Sequence, residues 1–285
     1  HVLATAHDVG REFRIISALA PTPVSVAPAL GFCDDNEVNG APFYVMRFVD
    51  GLVLRGADGA ESLDVAARER AGVSLVNTLA AIHAVVPAAV GLDDLGRHEG
   101  YIARQLKRWY GQWNQSKSRD LPAVDTVHDF LALRAPEQGA ATIVHGDYRL
   151  DNCMIDHRGN VRAVLDWEIC TLGDPLADVG LLMVYWTGPD DVGSAWVGSS
   201  STLPGFANRA DLLHRYAEVS GRDVSEIDYY VAFAFWKLAC ILDGVYARYV
   251  SGASGLGNDA AMIEGFRLQV DAAAARAAQL VESLR

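Results

Sequence analysis

A chain of 285 residues, 51% apolar and 21% charged, has the composition of a globular protein that can bury a sizeable core as one large domain or two lobes. Its formal charge of −12 excludes the basic surface of a nucleic-acid groove, yet leaves room for a nucleotide held by a few local cations and a metal. Cys33, Cys153, Cys170 and Cys240 form no C-x-x-C pair and predict reduced thiols in a cytoplasmic protein. No secretory signal opens the chain. The longest apolar run, 229–242, is too short for a membrane span and contains Lys237, so it is expected as a buried helix. The chain starts at His1 in helix-like sequence, and further sequence is expected upstream.

Residues 8–19 place Val9, Phe13, Ile16 and Leu19 at helical spacing, with Asp8 as N-cap and Pro21 and Pro23 as stops. Two strand-like runs follow at 24–33 and 42–49, separated by the turn-rich DDNEVNG; Asp50-Gly51 breaks the second. From about residue 61 the chain turns helical, with Val65, Ala66, Val73, Val76, Leu79 and Ile82 predicted on one broad buried face. Further helices are expected at 100–113 and 125–133, with a polar loop at 115–122. A strand–turn–strand unit at 153–165 precedes an irregular stretch at 187–206. Helices near 208–220, 225–250 and 258–283 close the chain, with Asn208 and Ser225 as N-caps. The pattern predicts a small α+β piece at 1–50 and a mostly helical body at 51–285 with one inserted hairpin.

That hairpin carries the chemistry. In TIVHGDYRLDNCMIDHRGNVRAVLDWE (142–168), a pairing symmetric about Gly159 sets Asp156 against Arg162 and Asn152 opposite Asp166 at the open end. An amide oxygen and a carboxylate are what Mg²⁺ accepts, with waters and substrate phosphates completing its shell. Asp147, five residues before Asn152, reaches the same end and can orient or deprotonate an attacking hydroxyl. The spacing H-x-D-x-x-x-x-N, followed by Asp166, matches the catalytic loop and metal-binding Asp of protein kinases. Asp151 and Asp156 are read as local or solvated acids, and Glu168 is left without a role.

The segments VHGDYRLDN, VLDWE and GDPLADVG resemble the aminoglycoside phosphotransferase and choline-kinase-like family, which shares the protein-kinase fold. REFRIISAL, GAPFYVMRFVDG and AFAFWKLACILDGVYAR are similar, more narrowly, to kinase-like domains associated with acyl-CoA dehydrogenases. The resemblance implies a two-lobe fold whose small lobe is incomplete at the N-terminus, with a large, mostly helical C-lobe. It implies Asp147 as catalytic base, Asn152 and Asp166 as Mg²⁺ ligands, His145 as a brace and Asp178 as a structural acid. Glu12 would pair with a phosphate-binding cation, which is expected upstream together with the phosphate-covering loop. Met46 would be the gatekeeper at the hinge, with the backbone of Arg47 and Val49 facing adenine; simple core packing is the other reading of Met46. The cofactors implied are ATP or GTP and Mg²⁺.

Substrate signals are weaker. Lys237 and Arg248, eleven residues apart, fall on one helix face about 16 Å apart and are candidates for an anionic substrate group. The alternative for Lys237 is a salt bridge to an acid of the large lobe, because a cation among FAFWKLACIL is costly unless paired or facing a cavity. The basic-aromatic run YIARQLKRWYGQW is either an amphipathic helix with its aromatics in the core or a stacking surface for adenine. His83 is read as a packed helix-end histidine, and no zinc or serine-hydrolase motif is present. The tail DAAAARAAQLVESLR lacks the acidity expected for aminoglycosides, so a hydroxyacyl-CoA acceptor is weighed beside them. The expected partners are thus a nucleotide and a small hydroxylated molecule, without nucleic acid or membrane, and a homodimer stays open. A nucleotide-binding module without turnover is the alternative; nothing resembles a flavin domain.

Overall fold

The computed structural model describes residues 8–117, 119–188, 191, 199–252 and 260–285. Helix α1 (Val9–Leu19) starts at Asp8, whose side chain accepts from Arg11 N at 3.0 Å, and it buries Ile15, Ile16 and Leu19. Strand β1 (Ala29–Cys33) pairs antiparallel with β2 (Phe43–Met46). Between them DDNEVNG forms a helical turn, α2 (Asn36–Asn39), capped by Asp35 and ended by the left-handed Gly40. The strand expected from residue 24 begins only at 29. Within 24–28, Val26 makes an isolated parallel bridge to Val164, and Ser25 O accepts from Val164 N at 2.8 Å. Leu52 and Ile155 exchange backbone hydrogen bonds of 2.7 and 2.8 Å. The hairpin is therefore tied to chain segments on both sides of β1 and β2.

Two helices follow, α3 (Gly56–Glu61) and α4 (Val65–Ala84), the second capped by Asp64. The face predicted for α4 holds at Val76, Leu79 and Ile82, which are buried, and fails before them: Val65 and Val73 are 59% and 38% exposed and Ala66 is exposed, while Ala67, Ala71 and Leu75 lie inside. Small alanines let α4 approach its neighbours closely, which a count of large apolar residues misses.

The remaining elements are α5 (Tyr101–Ser116), α6 (Pro122–Leu133), β3 (Thr142–Val144), β4 (Cys153–Ile155), β5 (Val161–Val164), β6 (Thr171–Gly173), α7 (Leu176–Tyr185), α8 (Arg209–Ser220), α9 (Ile227–Val250) and α10 (Ala260–Ser283). β3 pairs with β6 and β4 with β5, both antiparallel. β3, β6 and α7 are absent from the sequence expectation. Three-residue strands carry no readable alternation, and α7 is apolar on all sides, with eight of its residues buried and thus no amphipathic period. Part of the irregular stretch 187–206 and the expected start of the last helix lie outside the described residues.

Helix α9 packs against α5, α6, α7 and α10. Among the described residues it is the one helix long and apolar enough to cross a membrane, and 67% of its apolar window is buried inside the fold. Its N-terminus corrects one expected cap. Ser225 N and Oγ donate to Asp223, and the residue flanking the helix is Glu226. Asn208 does cap α8, accepting from Asp211 N. α7 meets α9 at Gly180, where a Cβ would sit 2.6 Å from the carbonyl of Tyr230. This close approach brings the acid of α7 and the cation of α9 toward the same loop.

Candidate active site

The hairpin register differs by one residue from the symmetric expectation. Cys153 pairs with Val164 and Met154 with Ala163, and a bulge then sets Ile155 against Val161. Asp156 therefore faces Asn160, not Arg162. Its Oδ1 accepts from Arg158 N at 3.0 Å and Asn160 N at 2.8 Å, an Asx turn that the symmetric pairing ignores. At the open end Asn152 O accepts from Leu165 N at 2.9 Å, so Asn152 stands opposite Leu165, with Asp166 the next residue. Asp166 has φ +65°, the one non-glycine in the left-handed region among the described residues. Such a turn costs free energy that the surrounding hydrogen bonds must offset, and strain of this kind is concentrated at functional sites.

The loop before the hairpin is organised by Asp178 at the start of α7. This carboxylate is fully buried and accepts from His145 N at 2.7 Å, Gly146 N at 2.8 Å and His83 Nε2 at 3.3 Å. Burial alone would raise its pKa, but the hydrogen bond and charge of His83 and the backbone amides hold it below the usual carboxylate range. Burial in turn holds the His83 imidazole low against the pull of Asp178. His83 Nδ1 also lies 2.7 Å from the Tyr216 hydroxyl. His83 is indeed a packed helix-end histidine, and it also supports the loop acid. His145, fully buried, donates from Nε2 to Leu165 O at 2.9 Å and accepts Asp147 N at Nδ1, 3.3 Å away. It joins the loop to the residue preceding Asp166.

Asp147 lies at the mouth of this framework. Asn152 Nδ2 donates to its backbone O at 2.8 Å and to Oδ2 at 2.9 Å. Arg149 Nε lies 3.4 Å from the same Oδ2 and 3.3 Å from Asp151 Oδ1, and its guanidinium covers Tyr185 at 4.8 Å. Burial raises the Asp147 pKa, and Arg149, Asn152, His145 and Lys237 act in the opposite direction. Lys237 is 7% exposed and donates from Nζ to Gly146 O at 3.3 Å, with the Trp109 ring 5.8 Å away. Arg248 is exposed in the last turn of α9, and the structure does not bring it to this cluster.

On the other side, Glu12 Oε1 accepts Trp167 N at 3.3 Å, next to Asp166. Burial first, and then the Glu12 carboxylate, push the Tyr44 phenol up to about 12, with Asp166 adding to the effect. Arg11, beside Glu12, donates to the carbonyls of Leu95, Glu168 and Cys170 and so bolts α1 onto the segment that follows Asp166. Met46 is 44% exposed at the end of β2, which removes the core-packing reading. Arg47 N donates to Pro28 O at 2.8 Å. Val49 is half-buried.

Sequence reading missed Arg11 and Arg149. Both sit inside the quoted motifs, REFRIISAL and HGDYRLDN, where their adjacency to Glu12 and Asp147 was the available signal. The basic-aromatic helix α5 turns Tyr101, Ile102, Leu106 and Trp113 inward, and Tyr110 stacks on His128 at 3.9 Å. A cavity of about 390 Å³ adjoins Arg149, lined by Leu54, Asp151, Leu182, Tyr185, Ser200 and Leu242 among others.

No group of three His, Cys, Asp or Glu suited to a metal occurs among the described residues. The donor chemistry at the hairpin's open end nevertheless fits Mg²⁺. Asn152 spends its Nδ2 on Asp147, which leaves its Oδ1 as the amide's acceptor atom, and Asp166 follows the residue opposite Asn152. Two hard oxygens suit an ion that takes most of its shell from water and phosphates.

Residues 1–218 match the family model described as Phosphotransferase enzyme family, APH. Over 255 residues the chain is 34% identical to acyl-CoA dehydrogenase family member 10 of Mus musculus, covering 88% of this chain and 24% of that protein. Acyl-CoA dehydrogenase family member 11 of Homo sapiens is 31% identical over 255 residues, covering 88% of this chain and 33% of its own length. The chain thus spans about a quarter to a third of these relatives. A crystal structure from Ralstonia eutropha JMP134, provisionally assigned as an aminoglycoside phosphotransferase, superposes with TM-score 0.82 at 34% identity, covering 95% of this chain and 83% of that one. The GDP and kanamycin complex of APH(2″)-IIIa shares the fold, with TM-score 0.60 at 15% identity and coverage of 95% and 83%. The architecture is that kinase-like fold with a mostly helical C-terminal part, and the chain belongs to the phosphotransferase enzyme family.

Proposed function

We propose that the chain is an ATP- or GTP-dependent, Mg²⁺-dependent O-phosphotransferase that moves a γ-phosphoryl group to a hydroxyl of a small molecule. The observation that carries the reading is the grip of Asn152 on Asp147, in which the amide nitrogen holds both the backbone oxygen and the carboxylate of the acid. Asp147 accepts the proton of the acceptor hydroxyl as its oxygen bonds to the γ-phosphorus and the bond to the nucleoside diphosphate breaks. Its burial supports this role, since a raised carboxylate pKa strengthens the base. Asn152 Oδ1 and Asp166 would hold Mg²⁺, which supplies positive charge at the phosphates when bound. Glu12 would orient a phosphate-binding cation. The Met46–Val49 stretch would receive the base, with the Arg47 carbonyl accepting from it. GDP in a structural neighbour supports a nucleotide in this cleft.

For the acceptor, we favour a hydroxyacyl-CoA over an aminoglycoside. The cavity beside Arg149 has mostly apolar walls, with Arg149 balanced by Asp151, whereas a polycationic antibiotic calls for an acidic surface. Relatives named as acyl-CoA dehydrogenase family members point the same way. The cytoplasm remains the proposed compartment, on the four free cysteines. The test is nucleotide turnover against hydroxyacyl-CoAs, amino alcohols and aminoglycosides, with Asp147→Asn as control. Turnover should require Asp147 and be fastest with a hydroxyacyl-CoA. Nucleotide binding without turnover on any acceptor would instead make the chain a binding module.

A further inference from the structure

The peptide unit that joins Gly146 to Asp147 is held at its N–H by a neighbouring side chain and at its carbonyl by one from a distant part of the chain. Its N–H, that of Asp147, donates to His145 Nδ1 at 3.3 Å, and its carbonyl, that of Gly146, accepts Lys237 Nζ at 3.3 Å. The preceding N–H, that of Gly146, donates to Asp178 Oδ1 at 2.8 Å. Gly146 is thus gripped by an anion on α7 at its N–H and by a cation on α9 at its C=O. Gly146 has φ +87°, and a Cβ there would meet the Ile169 side chain at 3.1 Å, so the turn is built for glycine. Lys237 is 7% exposed, and a buried ammonium is retained only where its partner is worth the desolvation. Trp109 covers it at 5.8 Å, and Trp236 and Leu238, its neighbours on α9, are buried.

We infer that Lys237 is a positioning residue for Asp147, acting through the Gly146 carbonyl, and is not a substrate-binding cation. The inference goes beyond the proposed activity but its kinetic arm rests on that reading. Its structural arm does not. In the fold, α9 reaches the loop by the close approach of α7 at Gly180, so the two charged grips arrive on two helices that are themselves packed together. Removing the ammonium while keeping the side-chain volume leaves the Gly146 carbonyl buried without its charged donor. The loop then gains freedom immediately before the proposed base.

The test uses Lys237→Met and Lys237→Arg in the full chain, with hydrogen exchange followed by mass spectrometry and with turnover. Lys237→Met should speed amide exchange at least about tenfold in the peptide spanning 143–152, leaving α10 and α4 unchanged, and Lys237→Arg should recover part of the protection. With an accepted acceptor in hand, Lys237→Met should lower kcat about 100-fold with little change in acceptor KM, the scale expected for a displaced base. Unchanged loop exchange in Lys237→Met overturns the inference whether or not any acceptor is ever turned over. Faster exchange throughout the chain, or a well-behaved Met variant beside a damaged Arg variant, assigns Lys237 to packing instead. A raised acceptor KM with normal loop exchange returns it to substrate binding. If no phosphotransfer is found, the proposed function fails while the exchange result still decides the role of Lys237.

Discussion

Asn152 Nδ2 sits 2.8 Å from the backbone oxygen of Asp147 and 2.9 Å from its carboxylate, so one amide holds both ends of one acid. In the proposed reading, Asn152 Oδ1 is the amide's metal ligand beside Asp166. Asn152→Ala therefore removes a metal oxygen and the restraint on Asp147 together. The Mg²⁺ concentration for half-maximal turnover should rise at least about tenfold, and kcat should fall as well. Titration of turnover with Mg²⁺ separates the two effects. An unchanged Mg²⁺ requirement would remove Asn152 from the proposed metal site.

Asp178 accepts three hydrogen bonds in full burial, so Asp178→Asn places an amide donor against at least one N–H. The variant should lose about 3 kcal/mol of stability, measured by urea unfolding at neutral pH. The folded-state pKa of Asp178 is depressed, so its contribution is present above the ordinary carboxylate pKa and lost as pH falls through the folded value. The gap between wild type and variant should therefore narrow in acid.

Asp243 shows the opposite behaviour. It is 0% exposed, neither carboxylate oxygen has a hydrogen-bond partner among the described residues, and burial raises its pKa while Arg119 opposes the rise. A raised carboxylate stabilises the fold below the unfolded pKa and loses that contribution as pH rises through the folded value. Asp243→Asn removes the ionisation and should gain about 1 kcal/mol at neutral pH, with the gain vanishing toward pH 4. Thermal melts at several pH values test the sign.

Gly180→Ala places a Cβ 2.6 Å from the Tyr230 carbonyl, which forces α7 and α9 apart. A cost of about 3 kcal/mol is expected from overpacking at a backbone contact. Because those helices carry Asp178 and Lys237, the folded variant should also show faster amide exchange at 143–152. Gly265→Ala, where a Cβ meets nothing within 4 Å on the exposed side of α10, serves as the silent control.

Helices α1, α5, α6 and α8 were legible because their apolar residues repeat at helical spacing and because Asp8 and Asn208 are short oxygen-bearing caps. The chemistry of the loop was legible for a different reason. Asp147, Asn152 and Asp166 lie close in sequence, so a local hairpin suffices to assemble them. The one-residue register error shows where that logic ends. Turn geometry at Asp156 is decided by backbone hydrogen bonds that a symmetric pairing rule does not contain.

The amino-acid sequence by itself determined the short-range chemistry: an acid, an amide and a second acid within twenty residues, on a hairpin whose ends must meet. Only the tertiary structure decided what holds that chemistry in place. Asp178, Lys237 and Arg11 come from α7, α9 and α1, and each reaches the loop or the segment after Asp166 through its backbone groups, while His83 of α4 holds the Asp178 carboxylate from behind. Such contacts leave no periodicity in sequence, because a buried charge is placed by which helices pack together. For Lys237 the distinction is sharpest. Helical spacing puts it on the same stripe as Arg248, but burial against Trp109 and the Gly146 carbonyl separates the two cations in function.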